Sequence, residues 1–77
     1  MRFRVYSRQV PIRQRLTDAV REGRLTIGET YTAKAIAAAC ACEIQNLEIL
    51  QLDLAAERHP LKIVDQGRPQ GYLLTTR

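Results

Sequence analysis

The carboxy-terminal part of the chain constrains the fold most, because its apolar residues change to a period of two around a loop of glycine and proline. In a period of two, Leu61, Ile63 and Asp65 lie on one side and Lys62 and Val64 on the other. A second apolar run, Tyr72-Leu73-Leu74-Thr75, follows Gln66-Gly67-Arg68-Pro69-Gln70-Gly71. Two such runs around a turn-rich loop are typical of a β-hairpin. We therefore predict a hairpin over residues 61 to 75.

The first two of three predicted helices, together with a short extended segment, lie between residues 11 and 40. Pro11 suits the first turn of a helix and Gly23 suits its carboxy-terminal cap, so the first helix is predicted over residues 11 to 22. Residues 25 to 31 predict a turn followed by a brief extended segment that pairs with another strand. Thr32 can cap a second, alanine-rich helix that reaches Cys40.

The third predicted helix begins near Glu43, after a tight turn around Ala41 and Cys42, and ends before Pro60. Its predicted core face combines residues at helical spacing: Ile44, Leu47, Leu50, Gln51 and Leu54. A second apolar patch, formed by Ile49, Leu52 and Ala56, lies nearly opposite. We expect this patch to build a dimer or to bind a partner, unless it is simply core.

The amino-terminal residues predict a short edge strand, because Phe3 and Val5 alternate with polar residues over positions 2 to 10. With 77 residues the chain makes one small domain. We divide it into a strand over residues 1 to 10 and a folded domain over residues 11 to 77.

Several classes of function are not expected. The chain has neither a run of about 20 apolar residues nor the apolar core of a secretory signal, so we expect a cytoplasmic protein without a membrane contact. Cys40 and Cys42 have no nearby ligands to complete a metal site, and they are interpreted as reduced thiols that pack as small hydrophobic groups. His59 stands alone, without a nucleophile and an orienting partner nearby. We predict no enzyme, no metal and no cofactor.

The charge of the chain favours nucleic acid as a partner. The net charge is +4, and ten of the twelve cations are arginine, whose planar fork binds phosphate at two points. Residues 1 to 24 carry +5, residues 25 to 57 carry −4 and residues 58 to 77 carry +3. A solubilising surface, or arginine usage imposed by a GC-rich genome, explains the same composition.

The order of the predicted elements is that of a winged helix-turn-helix domain, and the residues from Thr32 to Leu74 resemble the amino-terminal winged-helix module of bacterial DeoR-like repressors, WYL-domain regulators and the biotin repressor. The stretches that carry the resemblance are Thr32-Ala33-Lys34-Ala35-Ile36-Ala37, Leu50-Gln51-Leu52-Asp53-Leu54, Leu61-Lys62-Ile63-Val64, Gly67-Arg68 and Gly71-Tyr72-Leu73-Leu74. The resemblance implies an α+β fold, in which a three-helix body carries a carboxy-terminal β-hairpin wing, with the amino-terminal strand as an addition.

The resemblance also implies that the third helix reads duplex DNA and that Lys62 and Arg68 on the wing contact phosphate or the minor groove. Gln45 and Asn46 are the candidate base readers, because both amides can bond adenine at two points. Arg13 and Arg15, together with Arg2, Arg4 and Arg8, add phosphate contacts if they lie beside the wing. These five arginines are candidates only because of their positive charge. The third helix departs from the family pattern, since residues 43 to 54 carry −3 and no cation.

Two functions from different classes follow from these patterns. The first is a small bacterial or phage transcriptional regulator that binds double-stranded DNA, as a homodimer on a palindromic site. The second is a winged-helix interaction module, such as a phage-encoded inhibitor or an assembly subunit, that binds a protein through its acidic, apolar third helix. Structured RNA is a further partner that arginine would attract.

Overall fold

The computed structural model, which describes residues 10 to 77, contains three helices and one three-stranded antiparallel sheet, so the chain has the predicted α+β class. The elements are α1 (Ile12–Arg21), β1 (Thr30–Tyr31), α2 (Ala33–Ala39), α3 (Asn46–Ala56), β2 (Leu61–Asp65) and β3 (Tyr72–Thr76). The strand order is β1-β3-β2. This layout is compatible with the predicted winged helix. The predicted amino-terminal strand lies outside the described residues, apart from Val10.

The carboxy-terminal hairpin is confirmed. β2 and β3 pair in an antiparallel register that joins Leu61 to Thr76 and Asp65 to Tyr72. The tip is closed by two backbone hydrogen bonds of 2.9 Å, from the Gln66 N–H to the Gly71 carbonyl and from the Gly71 N–H to the Gly67 carbonyl. The alternation of the sequence turns one face of the hairpin towards the helices, where Leu61, Ile63 and Leu74 are buried.

The predicted extended segment is present as β1, which pairs with β3. Gly71 lies where the two strands meet, with a left-handed φ of +86°. A Cβ atom at this position would lie 2.6 Å from the carbonyl oxygen of Tyr31. Glycine is therefore required at residue 71 for its backbone conformation and for the close approach of β1.

The first two helices lie close to their predicted positions. α1 covers Ile12–Arg21 instead of residues 11 to 22, because Pro11 has an extended ψ of 148° and precedes the helix. Gly23 follows the helix with the predicted left-handed backbone. At the start of α2 the Thr32 hydroxyl accepts a hydrogen bond of 3.1 Å from the Ala35 N–H, which confirms the predicted cap.

The start of the third helix was wrong by about three residues, and so was the placement of Ile44 in the core. Residues 44 and 45 form a turn, and α3 begins at Asn46. The core face of α3 is centred on Leu47, Leu50 and Leu54, and at about 100° per residue Ile44 lies roughly 90° from that centre. Ile44 is consequently 52% exposed.

The core joins all three helices to the inner face of the sheet. Its buried residues are Leu16, Ala19, Leu25, Ile36, Ala37, Cys40, Leu47, Leu50, Leu54, Leu61, Ile63 and Leu74. Tyr72 packs against this cluster, as the sequence predicts. Because α3 contributes one face to the core, its opposite face is left on the surface.

We expect Gly71→Ala to lower the free energy of unfolding by about 2 to 3 kcal/mol, because it adds a clash with Tyr31 to the cost of a left-handed alanine. Gly67→Ala is the matched control: Gly67 has a φ of +78° but open space around its Cβ position, so the loss should be about 1 kcal/mol. Urea unfolding followed by circular dichroism measures both. Equal losses would contradict the close approach of β1.

Candidate functional site

Two arginines hold the carboxy-terminal end of α2. Arg15 donates from Nη1 to the carbonyls of Ala41 at 2.9 Å and Cys40 at 3.4 Å, and from Nε to Val10 at 3.1 Å. Arg24 donates to the carbonyl of Ala39 and forms an ion pair of 3.0 Å with Glu22. The last carbonyls of a helix have no partners within the helix and carry partial negative charge, so guanidinium groups stabilise them. Arg15, a predicted phosphate contact, therefore has a structural role in the turn between α2 and α3.

The other predicted cations among the described residues have different surroundings. The Arg13 Nε lies 2.8 Å from the Glu57 Oε2, beyond the carboxy-terminal end of α3. Lys62 is exposed on the face of β2 that points away from the helices. Arg68 is exposed at the hairpin tip and lines a groove with Thr32 and Ala33 at the start of α2. The structure does not gather these side chains into one basic surface.

The two predicted base readers face different sides of α3. The Gln45 Nε2 donates a hydrogen bond of 2.6 Å to a carboxylate oxygen of Glu43, and the side chain lines a groove between α3 and the tip end of the hairpin strands. Asn46 is partly buried and lines a different groove, with Pro11 and Arg15 on the α1 side. Neighbouring helical residues diverge by about 100°, so the two amides do not form one reading surface.

The described part of the chain is nearly neutral. Arg2, Arg4 and Arg8 precede it, which leaves nine cations and eight anions over residues 10 to 77, a net charge of +1. Binding to a duplex depends on cations that replace the counterions of the phosphates. Arg2, Arg4 and Arg8 therefore account for three of the four net positive charges of the chain.

The predicted apolar patch on α3 is exposed and continuous. Ile49 and Leu52 are 55% and 65% exposed, and Ala56 is exposed beside them. On a helix of about 100° per residue, these three residues lie within about 60° of one another, and Leu52 lies almost directly opposite the core face. We refer to Ile49, Leu52 and Ala56 as the α3 stripe. No described residue buries it.

Ile44 is a surface residue that the sequence interpretation placed in the core. It lies just before α3 and lines the same groove as Gln45, Glu48 and Tyr72. A helix extended back to Glu43 would place Ile44 roughly 90° from the centre of the core face, which is the signal for its exposure.

The cysteines and the histidine have structural surroundings. Burial raises the pKa of the Cys40 thiol to about 12, with a smaller contribution from Cys42, and burial also raises the pKa of Cys42. Both groups are therefore thiols at neutral pH. The His59 ring lies between the start of β2 and α1. Its Nδ1 accepts a hydrogen bond of 3.1 Å from the Leu61 N–H, and its Nε2 lies 3.3 Å from the hydroxyl of Thr17 on α1.

Within residues 10 to 77 no three His, Cys, Asp or Glu side chains are placed to hold a metal ion. No helix in this part of the chain has the length and apolar character needed to cross a membrane. No protein-family model, curated protein or solved structure matches the chain. The α3 stripe and the distribution of charge are therefore the features from which a function can be argued.

We expect Arg15→Lys to lower the free energy of unfolding by about 1 to 2 kcal/mol, although the charge is kept. A single ammonium cannot reach the carbonyls of Val10 and Ala41 with the geometry of the guanidinium fork. Arg21→Lys, at an exposed position in the last turn of α1, is the control and should change stability by less than about 0.5 kcal/mol. Thermal unfolding measures the stability of both variants. An Arg15→Lys variant as stable as the control would exclude a stabilising role of Arg15 in the turn.

Proposed function

We propose that this domain is a protein-binding module with a winged-helix body and that it binds its partner through the exposed face of α3. The observation that carries the proposal is the α3 stripe, which places Ile49 and Leu52 on the surface opposite the core. Burying a leucine or isoleucine side chain stabilises a complex by about 1.5 to 3 kcal/mol. A partner that covers two such side chains on adjacent turns of a helix gains a substantial part of its binding free energy there.

The charge of α3 also favours a protein over DNA at this face. Residues 43 to 57 contain four acidic residues and no cation. In a winged helix that reads DNA, the corresponding helix lies in the major groove between two rows of phosphates. An acidic helix with exposed leucine and isoleucine is repelled there, whereas the same surface is typical of the centre and rim of a protein interface.

We expect Leu52→Ser to weaken partner binding at least tenfold and to leave the fold intact, because Leu52 is exposed and contributes nothing to the core. The probe is a library of displayed helical peptides selected against the whole protein. The affinity of the retained peptides for the wild-type protein and for the Leu52→Ser variant is then measured by fluorescence anisotropy.

Ile27→Ser is the matched control, since Ile27 is also an exposed apolar residue, 43% accessible, but lies in the turn before β1. Peptides selected on the wild-type protein should bind this variant unchanged. A library that yields no peptide, or peptides that lose affinity equally with both substitutions, would refute the proposal.

DNA binding is the second candidate, and the layout of the elements favours it. α2, a short turn and α3 precede a hairpin whose tip exposes Arg68, and Lys34 is exposed in the first turn of α2. In winged-helix proteins that bind DNA the wing contacts phosphate or the minor groove, which the resemblance implies for Arg68 and Lys62. Arg68 and Lys34 form no ion pair with a described residue, so both are available for such contacts.

If this second function is correct, the protein binds a mixed pool of short duplexes at low salt, and affinity falls steeply as salt rises. Arg68→Glu then weakens binding to every sequence, and Asn46→Ala relaxes the preference at one base pair. Anisotropy titrations at about 50 and 200 mM salt measure both effects. An Arg68→Glu variant with unchanged affinity would exclude the hairpin tip from DNA binding.

A further inference from the structure

The α3 stripe is flanked on both sides by carboxylates. Around the helix, at about 100° per residue, Glu48 lies on one side of Leu52 and Asp53 lies on the other. Neither carboxylate forms an ion pair with a described residue. The nearby anions are already engaged, since Glu43 accepts from Gln45 and Glu57 is paired with Arg13.

This arrangement of apolar and charged residues resembles one helix of a helix–helix pair. In paired helices an apolar seam is bordered by charged residues, and opposite charges on the two helices select the partner. On α3 the border is acidic on both sides, and no lysine or arginine occurs between residues 43 and 57. No described lysine or arginine forms an ion pair with Glu48 or Asp53, so a partner that carries such cations complements this border.

A second copy of this chain does not supply them through the same face. Two α3 helices packed stripe to stripe would bring Glu48 and Asp53 of each copy against like charges. α3 has 11 residues and is about 16 Å long, so a pair of copies would have a short apolar contact with like charges on both borders, whereas a basic helix places opposite charges there.

We infer that the α3 stripe binds a basic amphipathic helix of another protein. This helix carries apolar residues at i, i+3 or i+4 and i+7, with lysine or arginine on both sides of them. The inference rests on the proposed function and specifies the partner of the same surface. Affinity comes from covering Ile49 and Leu52, and the selection of basic helices comes from Glu48 and Asp53.

The experiment is a selection of displayed helical peptides with all surface positions randomised, performed on the whole protein at about 50 mM salt. We expect the retained pool to be basic beside its apolar stripe. A retained peptide should bind about three- to tenfold more weakly to a Glu48→Gln/Asp53→Asn double variant, and this difference should disappear near 1 M salt, where screening acts over about 3 Å. Glu29→Gln, at an exposed acid away from α3, is the control and should leave affinity unchanged.

The outcomes separate this inference from the proposed function. A pool that is neutral or acidic, yet loses affinity with Leu52→Ser, overturns the basic partner and retains the protein-binding surface. Equal affinity of a basic peptide for the wild type and the double variant also overturns it. An empty pool, or one insensitive to Leu52→Ser, overturns both. A charge-reversed Glu48→Lys/Asp53→Lys variant should retain an acidic pool instead.

Discussion

The contact between two guanidinium groups and the end of α2 connects the packing of the first two helices with the placement of α3. Arg15 and Arg24 satisfy carbonyls at residues 39 to 41, where the helix has no partners of its own. Only six residues separate α2 from α3, so the direction of α3 depends on how that end is held. Arg15 and Arg24 also belong to the positive charge of the sequence that favours nucleic acid as a partner, but in the structure they bind these carbonyls.

The rotation of α3 about its own axis follows from its packing. Leu47, Leu50 and Leu54 are buried, and Gln51 donates to the Ile63 carbonyl on β2 at 3.3 Å. With these contacts on one face, Leu52 points away from the body. Turning the helix to hide Leu52 would expose three buried leucines, at a cost of several kcal/mol. The exposure of the stripe among the described residues is thus a consequence of how the core is packed.

Much of the fold can be predicted from short stretches of the sequence. The hairpin, the Thr32 cap and the left-handed Gly23 and Gly71 are each determined by a few neighbouring residues, and all were predictable. The start of α3 was not, because residues 43 to 45 have helical periodicity but form a turn. The exposure of the α3 stripe was predictable from its spacing. The roles of Arg13 and Arg15 were not, because their partners, Glu57 and the carbonyls near Ala41, are distant in sequence.

The charge of the whole chain and the charge of α3 support different partners. The sequence is basic at +4, whereas residues 43 to 57 contain four acidic residues and no cation. A winged-helix layout hosts more than one function, so the layout alone does not select DNA. What distinguishes the two candidates is the surface that α3 presents. A major-groove reader needs donors and positive charge there, whereas this helix presents leucine and isoleucine between two carboxylates, and a basic helix complements both features at once.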